Sequence, residues 1–185
     1  QTPAPITGSS FVCSGSTTTL SDATAGGTWS SSAPSVAVVG ASTGVVSAVS
    51  LGTTVITYTT GSGYVTRLMT VKDIPTLTPS SFNACVNSTY TTTPSIPGGS
   101  WASTTPAIAT VNSTGLITGV SPGVATISYT AAGGCGTTAT VTVNSLPTIN
   151  VTPPTPILCN GQSVSLTASG GSTYVWSPSG GLSAT

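Results

Sequence analysis

Asp22, Asp73, Arg67 and Lys72 are the only acidic and basic side chains in this 185-residue chain, which contains neither Glu nor His. Two carboxylates held about 5 to 9 Å apart can hydrolyse a glycosidic bond. Asp22 falls in a turn and Asp73 at the end of a repeated segment, so a working pair is not expected. Ser and Thr make up more than a third of the chain. Activating a hydroxyl takes a His, a tuned carboxylate or a Lys, and Lys72 is the single Lys. Lys72 beside Asp73 suggests an intramolecular Lys–Asn isopeptide bond at most; a solvated strand end is the plainer expectation. Calcium needs several oxygen ligands with negative charge, which leaves only Asp73 in a linker to consider. Zinc needs clustered His or Cys, and Cys13, Cys85, Cys135 and Cys159 are widely spaced. The reading is no catalytic residue, no metal, no cofactor and no enzyme.

The remaining candidates are aromatic. Trp29, Tyr58, Trp101 and Tyr129 would make a platform on which sugars stack. They recur at one position of a repeat, which favours a core role: a β-sandwich needs a Trp plug early and a Tyr on a late strand. Tyr64, Tyr90 and Tyr174 are freer to meet a surface glycan or a neighbour. Asn87, Asn112 and Asn150 each open an Asn-x-Ser/Thr triplet, a pattern that a Ser/Thr-rich chain also produces by chance.

Whatever positions these residues must be built almost without charge. Charged residues are 2% of the chain and the net charge is zero, against about one quarter in an ordinary globular protein. Nucleic-acid binding needs a basic patch, and two basic residues cannot form one; attachment to an anionic membrane fails likewise. No apolar run reaches the length of a membrane span, so no membrane insertion is expected. No charged and apolar leader is seen, and the chain starts at Gln1, as a processed form would. Mean hydropathy is positive, which argues against disorder. Abundant Thr, Val and Ile suit pleated strands, with Gly and Pro between them as turn punctuation. Disulfides are the natural use of the Cys, which places the chain in an oxidising, extracellular compartment.

The chain repeats itself. Cys13 and Cys85 are 72 residues apart, as are Trp29 and Trp101, Val71 and Val143, and Pro75 and Pro147; Tyr58 and Tyr129 are 71 apart. That period is long enough for a small sandwich that folds alone. Cys159 and Trp176 open a third copy. The domain reading is 1–74, 75–146 and a first half of a third repeat over 147–185. Turn spacing in the first repeat predicts seven strands near 6–12, 16–20, 27–31, 35–39, 45–49, 53–59 and 64–72. Pro in the linkers stiffens the joints. The fold class is all-β, tandem immunoglobulin-like sandwiches of about seven strands each.

The segments Trp29 to Thr59 and Trp101 to Thr130, with Pro34, Gly44, Gly52 and Tyr58 answered by Pro106, Gly115, Gly123 and Tyr129, resemble bacterial immunoglobulin-like repeats of the group 2 type. The version with an early Cys and a Gly-Gly-Thr-Trp turn is similar to repeats in large secreted proteins of Bacteroidetes-like bacteria. The resemblance implies an immunoglobulin-like fold at a cell surface; such repeats serve as spacers, adhesin stalks and filament material alike.

Cys85 begins the second repeat and Cys135 follows its Tyr129 strand, so a Cys85–Cys135 disulfide is expected within that repeat. Tyr64 is taken to occupy the place of Cys135 in the first repeat. That leaves Cys13 as a buried thiol or an interchain partner, with Cys159 of a neighbour as one candidate. The expected function is a structural segment of an extracellular fibre or long adhesin that associates with copies of itself. A carbohydrate-binding module and a passive spacer of a secreted enzyme are the alternatives.

Overall fold

A computed structural model describes residues 2–177. It contains eighteen strands and, among the described residues, no helix. The first seven are β1 (Phe11–Cys13), β2 (Thr17–Thr19), β3 (Thr28–Ser31), β4 (Ala37–Val39), β5 (Val45–Ala48), β6 (Gly52–Thr60) and β7 (Gly63–Lys72). They form a four-stranded sheet in the order β1-β7-β6-β3 and a three-stranded sheet in the order β2-β5-β4. Every pairing is antiparallel except β1 with β7, which run parallel with Cys13 opposite Lys72.

The next nine are β8 (Leu77–Thr78), β9 (Ser81–Cys85), β10 (Thr89–Thr91), β11 (Thr93–Pro94), β12 (Ser100–Ser103), β13 (Ala109–Val111), β14 (Leu116–Gly119), β15 (Gly123–Thr130) and β16 (Gly136–Asn144). The sheets β12-β15-β16-β9 and β10-β14-β13 repeat the first pattern, including the parallel pair, here β9 with β16. Strands β8 and β11 add a short two-stranded extension. No strand pair joins residues 11–72 to residues 77–144 among the described residues.

Alternation explains which faces meet. On β6, Thr54, Ile56 and Tyr58 point inward; on β7, Met69 and Val71 do. They pack with Val12, Leu20, Trp29, Ala37 and Val46, drawn from both sheets, as one core. In the second sandwich Ala125, Ile127, Val141 and Val143 meet Ala84, Ala109 and Ile117. The buried Thr54 hydroxyl is satisfied by Ser31 and Ser32 hydroxyls and by the Ala33 N–H, as a polar group inside a core must be. The Ser-Thr-Gly turns close the β4–β5 and β13–β14 hairpins. Gly44 (φ 67°) and Gly115 (φ 81°) sit in the left-handed region, and each lies against the Trp ring of its sandwich, where a Cβ would collide.

The first predicted strand is shortened. Residues 6–10 join no strand, and Thr7 forms only an isolated bridge with Ser21. The segment is held instead by Arg67, whose guanidinium donates to the Ile6 carbonyl at 2.7 Å and the Gly8 carbonyl at 2.6 Å. After residue 144, β17 (Asn150–Thr152) pairs antiparallel with β18 (Thr167–Ser169). Of the third repeat read over 147–185, residues 178–185 lie outside the described residues.

Candidate functional site

The chemistry of this chain gathers where the two sandwiches meet. Cys13 ends β1, and its parallel partner Lys72 ends β7; both stand at the exit of the first sandwich, next to the linker 73–76. Facing them is the loop between β15 and β16. Here the Ala131 N–H donates to the Cys135 carbonyl at 2.9 Å, leaving Ala132, Gly133 and Gly134 to make the turn. Cys135 forms a disulfide with Cys13 across the joint, Cα–Cα 5.7 Å, spanning 122 residues of sequence. The Lys72 ammonium donates to the Gly133 carbonyl at 2.8 Å and lies 4.2 Å from the centre of the Phe11 ring. Gly134, at φ 90°, passes so close to that ring that a Cβ would come within 2.6 Å of Phe11 Cζ. A covalent bond, a charge-assisted hydrogen bond and a cation–π contact thus fasten one loop to one sheet end.

This corrects the expected Cys85–Cys135 disulfide. Cys85 is a half-buried free thiol and Cys159 an exposed one. Cys85 lies opposite Asn144 at the far end of β16, whereas Cys135 precedes the start of that strand at Gly136. At about 3.3 Å per residue, the two cysteines sit roughly 30 Å apart along the sandwich, beyond the reach of a disulfide. Cys13 is therefore neither a free thiol nor the interchain partner of Cys159. The register of the two hairpins accounts for the difference. Thr60 pairs with Gly63 in the first sandwich, as Ala131 does with Cys135, so Gly63 and not Tyr64 stands at the place of Cys135. Lys72 is likewise no solvated strand end; it is half-buried and engaged with the second sandwich.

The structure places the recurrent aromatics inside. Trp29 and Tyr58 are register partners across β3 and β6 with ring centres 4.6 Å apart; Trp101 and Tyr129 repeat this across β12 and β15, also at 4.6 Å. Tyr58 donates its hydroxyl to the Thr24 carbonyl at 2.6 Å and accepts from the Gly27 N–H at 2.9 Å. Tyr129 does the same with Ile96 and Gly99, at 2.6 and 2.7 Å. Trp101 is half-buried and the other three are buried. Asp22 accepts from the Thr24 N–H at 2.7 Å and so shapes the turn carrying that carbonyl; Asp73 accepts from Ile74 N–H in the linker. Of the sequon asparagines, Asn112 spends its side-chain oxygen on the Thr114 N–H, the Thr114 hydroxyl and the Leu116 N–H.

Two seven-stranded sandwiches with a parallel first-to-last strand pair, joined end to end, define a tandem immunoglobulin-like protein. Residues 75–143 match the model of the bacterial Ig-like domain (group 2) family. Among solved structures, the chain is similar to invasin, a bacterial integrin-binding protein, at TM-score 0.51 and 13% identity, covering 80% of this chain and 39% of that one. It is similar to the C-terminal 282-residue fragment of intimin, solved with the intimin-binding domain of its translocated receptor. That match has TM-score 0.50 and 16% identity, covering 82% of this chain and 66% of the fragment. The chain spans less than two thirds of either, and at these identities the likeness is one of fold. Among curated proteins none matches the sequence significantly. No helix among the described residues is long and apolar enough to cross a membrane.

Proposed function

We propose that the chain is a structural segment of an extracellular fibre or long cell-surface adhesin, with immunoglobulin-like units over 1–74 and 75–146 and a third opening at 147. The observation that carries this reading is the covalent joint. A disulfide between sandwiches, rather than within one, serves to fix how they are held relative to each other, which a catalytic or freely hinged module does not need. An oxidised cystine also fits an extracellular setting, and the fold is shared with invasin, a bacterial integrin-binding protein. Scarce charge supports association with further copies, because self-repulsion is absent and few Lys residues blunt the exposed strand edges.

Electron microscopy of the native material tests this. Ordered filaments or straight projections from the cell surface are expected; dispersed globular particles at high concentration would refute it. The adhesive alternative draws on Tyr64, which is 69% exposed. Glycan-array binding that is lost in Tyr64→Ala would favour that reading over a purely structural one.

A further inference from the structure

We propose that Asn160 is a self-modification site: with Gly161 it converts spontaneously, through a cyclic imide, into aspartate and isoaspartate. The reaction needs no enzyme and no cofactor. It gives a nearly charge-free chain a new carboxylate at a defined place, and it stands whether or not the chain builds fibres.

The chain has six asparagines: Asn83, Asn87, Asn112, Asn144, Asn150 and Asn160. Cyclisation requires the next residue's backbone nitrogen to reach the asparagine Cγ. A following residue without a Cβ, and a backbone free to rotate, both favour it. Asn160 alone precedes glycine. Residues 157–165 are exposed and lie outside any strand. Their turn is closed by the Gln162 N–H, which donates to the Cys159 carbonyl at 3.0 Å, and no ladder holds the peptide plane between Asn160 and Gly161. Gly161 has φ 84°, and even a Cβ built there would touch nothing within 4 Å, so nothing crowds the attacking nitrogen from that side. The other five asparagines are restrained. Asn83, Asn144 and Asn150 sit in the ladders of β9, β16 and β17, in register with Thr142, Cys85 and Ser169. The side-chain oxygen of Asn112 is held by the Thr114 N–H, the Thr114 hydroxyl and the Leu116 N–H. After Asn87 the attacking nitrogen would be that of Ser88, whose N–H is spent on the Cys85 carbonyl at 3.0 Å.

Water or hydroxide takes the Gly161 amide proton, and the nitrogen attacks Asn160 Cγ. The new nitrogen–carbon bond closes the imide; the side-chain carbon–nitrogen bond breaks, and ammonia leaves with a proton. Water then opens the ring. Attack at Cγ restores the normal chain with an aspartate; attack at the main-chain carbonyl leaves the chain running through Cγ as isoaspartate. Either carboxyl is ionised at neutral pH, so the net charge moves from zero to minus one. Isoaspartate also lengthens the main chain by a methylene inside the turn that Gln162 closes on Cys159. The new charge falls beside Ile157 and Leu158, both exposed, and lowers the tendency of that apolar stretch to associate.

The test incubates the 185-residue chain, folded and denatured, at neutral and at mildly alkaline pH. Peptide mapping with isoaspartate-specific methylation follows each asparagine. Conversion is expected at Asn160 ahead of the other five, with more isoaspartate than aspartate, faster at the higher pH and at similar rates in both forms. Asn112, by contrast, should convert faster once denatured. Isoelectric focusing should show a matching shift to lower pI. Gly161→Ala is expected to slow the conversion several-fold, and Asn160→Gln to remove the acidic species. A folded chain in which Asn160 keeps its amide while the denatured chain loses it overturns the proposal, as does earlier conversion at any other asparagine. An acidic shift that persists in Asn160→Gln overturns it as well.

Discussion

Lys72 and Phe11 lie on adjacent parallel strands of one sandwich, with the ammonium nitrogen 4.2 Å from the ring centre and its hydrogen bond spent on Gly133 of the other. The ring's negative face and the carbonyl share one cation. Lys72→Met keeps most of the stem and removes both interactions. We expect a loss of about 1–2 kcal/mol in urea unfolding, since the site is only half-buried. Lys72→Arg should recover part of it. An unchanged midpoint in Lys72→Met would show that the contact adds nothing to the joint.

The disulfide should behave as one unit. Closing a loop of 122 residues is worth up to about 5 kcal/mol in the chain-entropy treatment. Cys13→Ala, Cys135→Ala and the double variant are each expected to lose the same amount, because either single change breaks the whole bond. Losses that add up would mean that the two sulfurs contribute separately, against the bonded pair described here.

Tyr58→Phe and Tyr129→Phe each leave an N–H and a carbonyl without their hydroxyl partner. A buried group stripped of its hydrogen bond costs about 1–3 kcal/mol. The effect should be larger at Tyr129, which is 1% exposed against 6% for Tyr58. Thermal unfolding of both variants under identical conditions checks the order as well as the size.

Trypsin should cut the folded chain slowly. Arg67 and Lys72 are its only sites, and both lie in β7, flanked by β1 and β6. Both side chains are also engaged with carbonyls. Limited proteolysis followed by mass spectrometry is expected to leave the chain intact over times that digest its reduced, denatured form. Rapid native cleavage at either residue would show that β7 frays.

Much of the fold could be read from residue spacing because alternation and turns are local signals. The runs near 53–59 and 64–72 became β6 and β7 almost unchanged, and the 71-residue offset between Tyr58 and Tyr129 located equivalent core corners. The joint was harder to see. Spacing shows that Cys13 and Cys85 are equivalent, but not at which end of a sandwich each strand stops. That end is set by the parallel pairing of β1 with β7, a long-range choice that no local pattern records. The extra turn residue in Ala132-Gly133-Gly134, against Gly61-Ser62 in the first sandwich, was the available clue. Counted from the β15–β16 ladder, it moves Cys135 out of line with Tyr64 and into line with Gly63. The partners Phe11 and Lys72 gave no sign of their role, since both acquire it only when the second sandwich docks.

The Cys13–Cys135 bond also decides how the chain carries tension. Force entering through β1 reaches Cys13 and crosses directly to Cys135, then leaves along β16. The 122-residue separation is bypassed, so most of both sandwiches stands off the load path. Stretching the oxidised chain cannot pay out that slack, which would amount to roughly 400 Å of extended backbone. The cystine acts as a strap that caps elongation, and reducing it would turn a nearly inextensible link into a long elastic one.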